Sequence, residues 1–339
     1  MEPAVEVETV VGPLLLARAD SVIGPALSRW KVWETAETRY LKETLRPGQT
    51  FVDVGANVGY FSVLAAQLVG PTGTVIAVEP EARNLDLLYR NLARNGCEGA
   101  LVIPYAAHSA GGTMTLSLDE ENRGGHRLVP RDHAGVCVRC VRLDDVLPER
   151  VDVVKIDVQG YDHEVIEGLQ RTLAANRGAT VIAELSRTEL ERRGVDREAV
   201  LARYEALDFT LSLFDRHGEL RRVSAAGALA ASRDPDIPAE LTLVLERPAA
   251  APFSIDSSPT RVDGLEVNET PDGLIVFQPT GNRAHELNHT AAIVFDLCTG
   301  ERSIASMVQL VQKAYELPEP PTAEVEACLD RLRREGVIV

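Results

Sequence analysis

Residues 50–59 read Thr-Phe-Val-Asp-Val-Gly-Ala-Asn-Val-Gly, and this run constrains the fold more than any other part of the chain. A strand-forming stretch breaks into glycines at alternating steps, and a helix-compatible segment, Tyr60 to Leu68, begins at once. A second apolar run, Thr74 to Val78, ends in another acid, Glu79, followed by Pro80. Strand, glycine turn, helix and acid-tipped strand make up the nucleotide-proximal half of a βαβ unit. The glycines permit tight turning and close approach of backbone to a ligand. A carboxylate at the second strand's tip can accept from both hydroxyls of a ribose. The expectation is an open α/β sheet that binds a nucleoside.

The spacing then selects the ligand. Asp53-x-Gly55-x-Asn57-x-Gly59 differs from the Gly-x-Gly-x-x-Gly of dinucleotide sites. An acid inside the strand, just before the turn, would repel a pyrophosphate and suits a cationic, amine-bearing ligand. S-adenosylmethionine carries a sulfonium, an ammonium and a ribose, and it is the expected cofactor. In that placement Asp53 faces the methionine end, Gly55 and Gly59 let the backbone approach, and Glu79 holds the ribose. Asn57 tolerates a left-handed conformation and offers its amide, with a simple loop hydrogen bond as its alternative role.

The 339 residues allow two domains, and the net charge of −16 disfavours non-specific nucleic-acid binding, so no nucleic-acid partner is expected. Five scattered cysteines fit a reduced, cytoplasmic chain better than a disulfide framework. Cys137-Val-Arg-Cys140 has a zinc-like gap, but residues three apart on a strand point to opposite faces. No His/Cys/Asp/Glu cluster has metal spacing, and no metal is expected. The amino terminus has acids and no basic flank before the short apolar stretch Val10 to Leu16, unlike a signal peptide. No run approaches transmembrane length, and no membrane partner is expected.

Along the chain, Val22 to Leu45 reads as one helix closed by Pro47-Gly48. After the first two strands, Asn84 to Asn95 reads as an amphipathic helix stopped by Gly96, and Leu101 to Ala106 as a third strand. Thr113 to Leu118 and Val136 to Leu143 read as an antiparallel insertion around a polar loop, Asp119 to Gly135. Val151 to Val158 is an almost continuously apolar strand, as in parallel sheets buried on both faces. A helix to Ala175, a strand Thr180 to Leu185, a helix Asp196 to Leu207 and strands Leu211 to Asp215 and Leu241 to Glu246 complete a first domain, residues 1–246. Residues 247–262, rich in proline, alanine and serine, read as a linker. Residues 263–339 read as three short strands, with turns at Pro271-Asp-Gly273 and Pro279-Thr-Gly281, and then three helices: Thr290 to Cys298, Ser303 to Tyr315 and Thr322 to Arg334.

Residues 32–185 resemble the FkbM family of S-adenosylmethionine methyltransferases. The resemblance rests on Trp33-Glu34, Asp53-Val-Gly-Ala-Asn-Val-Gly59, Val78-Glu79-Pro80 and Lys155-Ile-Asp157-Val-Gln159-Gly160-Tyr161, in that order and spacing. It implies a class I, Rossmann-like methyltransferase sheet with a β-hairpin insertion. Gln159 stands where the family more often has Glu, so it is given no proton-transfer role. Residues 262–339 are similar to the PqqD family through Leu287-Asn288-x-Thr290, Val294-Phe-Asp-Leu297, Gly300-Glu-Arg and Leu329-x-x-Leu332 before Gly336. This implies a small winged-helix α+β domain that recognises the leader of a ribosomally made precursor peptide.

Methyl transfer is an in-line displacement, and a base is needed only when the nucleophile carries a proton. Alternation places Val153, Lys155 and Asp157 on one face of their strand, with Asp157 toward the carboxyl end where such sheets bind ligands. Asp157 is a candidate to position or deprotonate the acceptor or to contact the cofactor's amino group; a structural pair with Lys155 is the alternative. His163 is a candidate base or a helix cap. His126 and His133, in the insertion loop, could reach substrate. By the resemblance, Glu34 closes over the cofactor, unless it is a solvated helix acid. In the second domain Arg283, His285 and Leu287 form the candidate edge strand for an added peptide strand, with Leu329 in the opposite wall, or they are core. The expected function is O-methylation of a precursor peptide held by its leader. The alternatives are a small-molecule O-methyltransferase acting on a sugar or polyketide hydroxyl, and a binding protein with an inactive cofactor fold.

Overall fold

The computed structural model describes residues 3–119, 122–233, 240–247, 253–279 and 283–339, with the side chains of Arg123, Arg283 and Arg334 left aside. It divides into two compact units, residues 1–172 with 178–248, and residues 249–339 with 173–177.

The first unit opens with a hairpin, β1 (Ala4–Thr9) and β2 (Gly12–Ala17). The apolar stretch noted in the sequence supplies its buried residues, Leu14 and Leu16. The buried amide of Asn91 fixes the hairpin: its Oδ1 accepts from the Leu15 N–H at 2.6 Å, and its Nδ2 donates to the Leu15 and Val58 carbonyls. The single helix expected over 22–45 is two helices, α1 (Ile23–Trp30) and α2 (Thr35–Thr44). Lys31 and Glu34 take φ of 62° and 42°, which a right-handed helix cannot accommodate. Lys31 ends α1 by donating its N–H to the Leu27 carbonyl at 3.0 Å.

Next come β3 (Thr50–Val54), α3 (Tyr60–Val69), β4 (Thr74–Val78), α4 (Ala82–Arg94) and β5 (Leu101–Ile103). The third strand expected over 101–106 is split, because Ala106–Ala107 (β6) joins a separate four-stranded sheet. That sheet is the insertion, β7 (Gly112–Ser117), β8 (Arg127–Val129) and β9 (Val136–Val141), with β9 between β6 and β7. The chain continues through β10 (Val153–Ile156), α5 (Asp162–Glu167), α6 (Gln170–Ala175), β11 (Thr180–Ser186), α7 (Arg187–Arg193) and α8 (Arg197–Ala206). It ends with β12 (Thr210–Phe214), β13 (Leu220–Val223), α9 (Ala225–Arg233) and β14 (Glu240–Glu246).

The main sheet has the order β13-β12-β14-β11-β10-β3-β4-β5. Strands β11, β10, β3, β4 and β5 are parallel, and β14 runs antiparallel between β11 and β12. This is the open, mainly parallel α/β sheet that the sequence leads one to expect. Chain order reverses between β3 and β10, the position where open α/β sheets leave a crevice at the carboxyl ends. All five residues of β3 are buried, as are all four of β10.

The second unit holds an antiparallel sheet, β15 (Glu266–Thr270), β16 (Gly273–Gln278) and β17 (Arg283–Asn288), with β16 central. Helix α10 (His289–Leu297) packs on it, and α11 (Ile304–Ala314) and α12 (Thr322–Arg334) pack on α10 and on each other. Asn288 caps α10, its Oδ1 accepting from the Ala291 N–H at 3.0 Å. Phe295, Met307, Leu329 and Leu332 are fully enclosed in the core. Residues 253–262 of the expected linker are built into this unit, and Arg247 belongs to the first. Phe253 packs against the core, and Thr260 and Arg261 bridge to Thr299 and Ile338. Residues 248–252, and residues 280–282 at the second expected turn, lie outside the description.

Gly55 sits at the switch point with φ 82°, and a Cβ there would stand 2.0 Å from the Asp157 carbonyl oxygen. Strand tips β3 and β10 can meet this closely only around glycine. Gly55→Ala is expected to destabilise the first unit by more than about 2 kcal/mol, from a left-handed backbone and a backbone clash together. Its melting temperature should fall by about 4–8 °C in a calorimetric scan.

Candidate active site

Two cavities meet at the carboxyl ends of β3, β4 and β10, sharing Gly55, Asn57, Gly124 and Asp157 in their walls. The outer one, about 540 Å3, lies between the tip of β4 and the insertion. Its wall includes Glu79, Asn84, Tyr105, Ala106, His126 and Leu128. The inner one, about 870 Å3, is walled by Trp33, Glu34, Asp53, Phe61, Lys155, Glu184 and Glu240, among others.

Glu79 is 5% exposed. Its Oε2 accepts from the Asn57 N–H and its Oε1 from the Glu81 N–H, both at 2.9 Å. Burial pushes its carboxyl up to about 7, against the opposing effect of those two donors. Asn57 has φ 50°, the left-handed conformation that aims its N–H at Glu79. Asn84 belongs to the same cavity wall, and its buried Oδ1 has no hydrogen-bond partner among the described residues. A buried carboxylate and an open amide oxygen offer acceptors to a nucleoside's hydroxyl and amino groups, and the acid-rich inner cavity suits the positive end of S-adenosylmethionine. The residues fit that molecule.

Lys155 organises the inner cavity. Its Nζ lies 3.3 Å from Glu34 Oε2, 3.3 Å from Asp157 Oδ2 and 4.4 Å from the centre of the Phe61 ring. Asp53 is its neighbour across the β3–β10 register. Burial alone would lower this ammonium, but the carboxylates of Glu34, Asp157 and Asp53 outweigh it and hold the charge. Burial pushes Glu34 up to about 7, with Lys155 opposing. Asp53, 2% exposed, accepts from Ser62 Oγ at 2.6 Å and is raised by burial against the pull of Lys155.

Several sequence candidates stand elsewhere. Gly59, with φ 91°, lines neither cavity; a Cβ there would meet Leu88 Cδ1 at 2.6 Å, so glycine lets the start of α3 pack closely on α4. His163 lines neither cavity and pairs with Glu164 at 3.1 Å. His133 is exposed beside Asp132. His126 does reach the outer cavity, its Nδ1 accepting from the Asp119 N–H. In the second unit Leu287 and Leu329 are sealed in the core and His285 is buried, so these side chains do not face a peptide. Arg283 opens β17. The sequence reading missed Glu184, Glu240 and Asp162. Glu184 carried the same signal as Asp157, an acid at the carboxyl end of an apolar strand. Among the described residues no group of three or more His, Cys, Asp or Glu could hold a metal ion.

Residues 53–222 match the model of the methyltransferase FkbM domain. The chain belongs to the FkbM methyltransferase family. Its residues 273–338 match the model of coenzyme PQQ synthesis protein D (PqqD). This FkbM protein is 29% identical over 154 residues to methyltransferase sdnD of Sordaria araneosa, spanning 35% of this chain and 59% of that one. It is also similar to a solved FkbM methyltransferase from Methylobacillus flagellatus KT (18% identity, TM-score 0.37, 62% of this chain and 51% of that one). A solved S-adenosylmethionine-dependent O-methyltransferase from Thermotoga maritima is 15% identical with TM-score 0.40, over 73% of this chain and 79% of that one.

For this FkbM enzyme, Glu79→Ala is expected to weaken S-adenosylhomocysteine binding at least tenfold, about 1.4 kcal/mol or more, because a hydrogen bond to a charged group is lost. The ionised carboxyl is the better ribose acceptor, and it is the form lost as pH falls through about 7. Affinity measured by calorimetry should therefore be full at pH 8 and decline toward pH 6, and Glu79→Gln should flatten that decline.

Proposed function

We propose that this enzyme methylates a ribosomally synthesised precursor peptide in the cytoplasm, and that the PqqD-like unit holds the leader while the sheet's inner cavity receives the core. The observation that carries this reading is a PqqD-matched unit joined to a methyltransferase sheet in one chain. Tethering by a leader raises the effective concentration of the core, to about millimolar for short flexible links. One active site can then serve a core that it contacts only weakly.

Strand β17 is an edge of its sheet and supplies the docking line. With Leu287 and Leu329 in the core, recognition falls to backbone groups rather than to the side chains expected from sequence. Antiparallel partners alternate between pairs that exchange both backbone bonds and pairs that exchange none. The two-residue turn Pro271-Asp272 closes on Thr270 and Gly273, so Gly273, Ile275 and Phe277 bond to β15 while Leu274 and Val276 bond to β17. The N–H groups of Ala284 and Glu286 then point away from the sheet, and both residues are exposed. An extended leader adds there as a fourth strand. In the other unit, Asp157 borders both cavities and orients the reacting ends, its oxygens engaged by Lys155 and by Gln159 Nε2 at 3.4 Å.

Glu286→Pro deletes one outward N–H, and an edge position tolerates proline. Binding of a precursor peptide encoded beside the gene should weaken about tenfold or more, with S-adenosylmethionine affinity unchanged. Turnover should recover at saturating precursor. Equal methylation by wild type and variant at low micromolar precursor would count against leader docking at β17 and favour a small-molecule acceptor. Asp157→Asn should lower turnover of the same precursor by roughly 10²-fold, a typical loss for a group acting at the reacting centre, while the melting temperature stays within a few degrees.

A further inference from the structure

Five carboxyl groups line the inner cavity, and Lys155 is in contact with two of them, Glu34 and Asp157. Asp53 is satisfied by Ser62. Glu184 is in a different situation. It stands near the carboxyl end of β11, and its backbone N–H donates to Asp162 Oδ1 at 3.1 Å. Its Oε2 is buried and has no hydrogen-bond partner among the described residues. The groups that face it are acids from four neighbouring elements: Asp157 after β10, Asp162 opening α5, Glu240 opening β14 and Glu34 before α2. Burial, and then these charges, push its carboxyl well above the ordinary range. Asp157, by contrast, has both oxygens already engaged.

We propose that Glu184 receives the acceptor's proton during methyl transfer, and that the acceptor is a neutral protic group, a hydroxyl or an amide, rather than a carboxylate. This rests on the inner cavity being the site of transfer. Burial among four acids, with Oε2 unpartnered among the described residues, favours the protonated form of Glu184 at rest. A cationic methyl donor in the same cavity favours the ionised carboxylate, so donor binding drives the Glu184 proton to solvent. In the transfer, the acceptor oxygen or nitrogen forms a bond to the methyl carbon. The carbon–sulfur bond breaks with its electron pair going to sulfur, and the acceptor's proton passes to Glu184. The donor's positive charge and the carboxylate's negative charge disappear together, which returns the cavity to its resting charge. A carboxylate acceptor would have no proton to give and would add a negative charge to a wall with five carboxyl groups and one ammonium.

The test is calorimetric binding of S-adenosylmethionine and of S-adenosylhomocysteine to the full chain near pH 7, in two buffers of different ionisation heat. The two ligands share the ribose and amino acid and differ in the sulfonium, so protons released at Glu79 cancel in the comparison. Wild type should release about half a proton to one proton more with S-adenosylmethionine, the linkage expected of one carboxyl shifted through neutrality. Glu184→Gln should abolish this difference while keeping S-adenosylhomocysteine affinity within about threefold, as one neutral side chain replaces another. Glu34→Gln should retain most of it. Equal release for both ligands in wild type would overturn the proposal without recourse to any variant, as would an undiminished difference in Glu184→Gln. Failure of both ligands to bind would overturn the donor-site assignment, and this proposal with it. A hydroxide-labile methyl ester in the methylated precursor would overturn the acceptor assignment.

Discussion

The site depends on one buried ammonium. Lys155 projects from the middle of a parallel sheet into a cavity otherwise walled by acids, its side chain 6% exposed. Glu34, from the loop before α2, and Asp157, from the tip of β10, both come to it. Buried ion pairs contribute little net stability, but removing one partner leaves an uncompensated charge at a cost of about 3–5 kcal/mol. Lys155 therefore specifies arrangement more than it adds stability. Its partner Glu34 sits at φ 42°, where the chain leaves the helical conformation.

Much of this was legible in the sequence, where backbone chemistry and side-chain pattern agree. The run Thr50–Gly59 with Glu79 announces strand, turn, helix and strand, and the structure builds those elements within a residue or two. The failures have physical causes. Residues 22–45 have helical composition throughout, but tertiary pairing of Glu34 with Lys155 overrides local propensity. Val10–Leu16 is too short for periodicity to separate a hairpin from a helix. Leu287 and Leu329 carry the same apolar pattern whether they line a groove or fill a core, and burial decides for the core. Glu184 was legible by the rule that found Asp157, an acid interrupting an apolar strand.

The two cavities differ in charge. Beyond the shared Asp157, the outer one offers a single carboxyl, Glu79, with two apolar hairpin residues and the Asn84 amide, an environment suited to a flat, neutral heterocycle and its sugar. The inner one is strongly acidic and is bounded by Tyr60 and Phe61, which stack edge to face at 5.2 Å. Gly55, Asn57 and Asp157 form the waist between them. Four carboxyl groups belong to the inner side alone, Glu34, Asp53, Glu184 and Glu240, against Glu79 on the outer side, so a cationic donor that spans the waist is favoured in one orientation.

Strand β14 has a consequence for how the chain is made. It is the last strand of its unit in sequence, yet it lies inside the sheet, paired with β11 on one side and β12 on the other. During synthesis β11 and β12 are complete long before their shared neighbour exists, and both wait with open edges. Open strand edges are where chains pair wrongly with one another. The sheet closes only when Glu240–Glu246 leaves the ribosome, and by then the next residues to emerge belong to the second unit. The order of the chain thus delays completion of the main sheet until shortly before the PqqD-like unit appears, so that a ribosome stalled ahead of residue 240 would carry five strands, β11 to β5, parted from the β12–β13 pair.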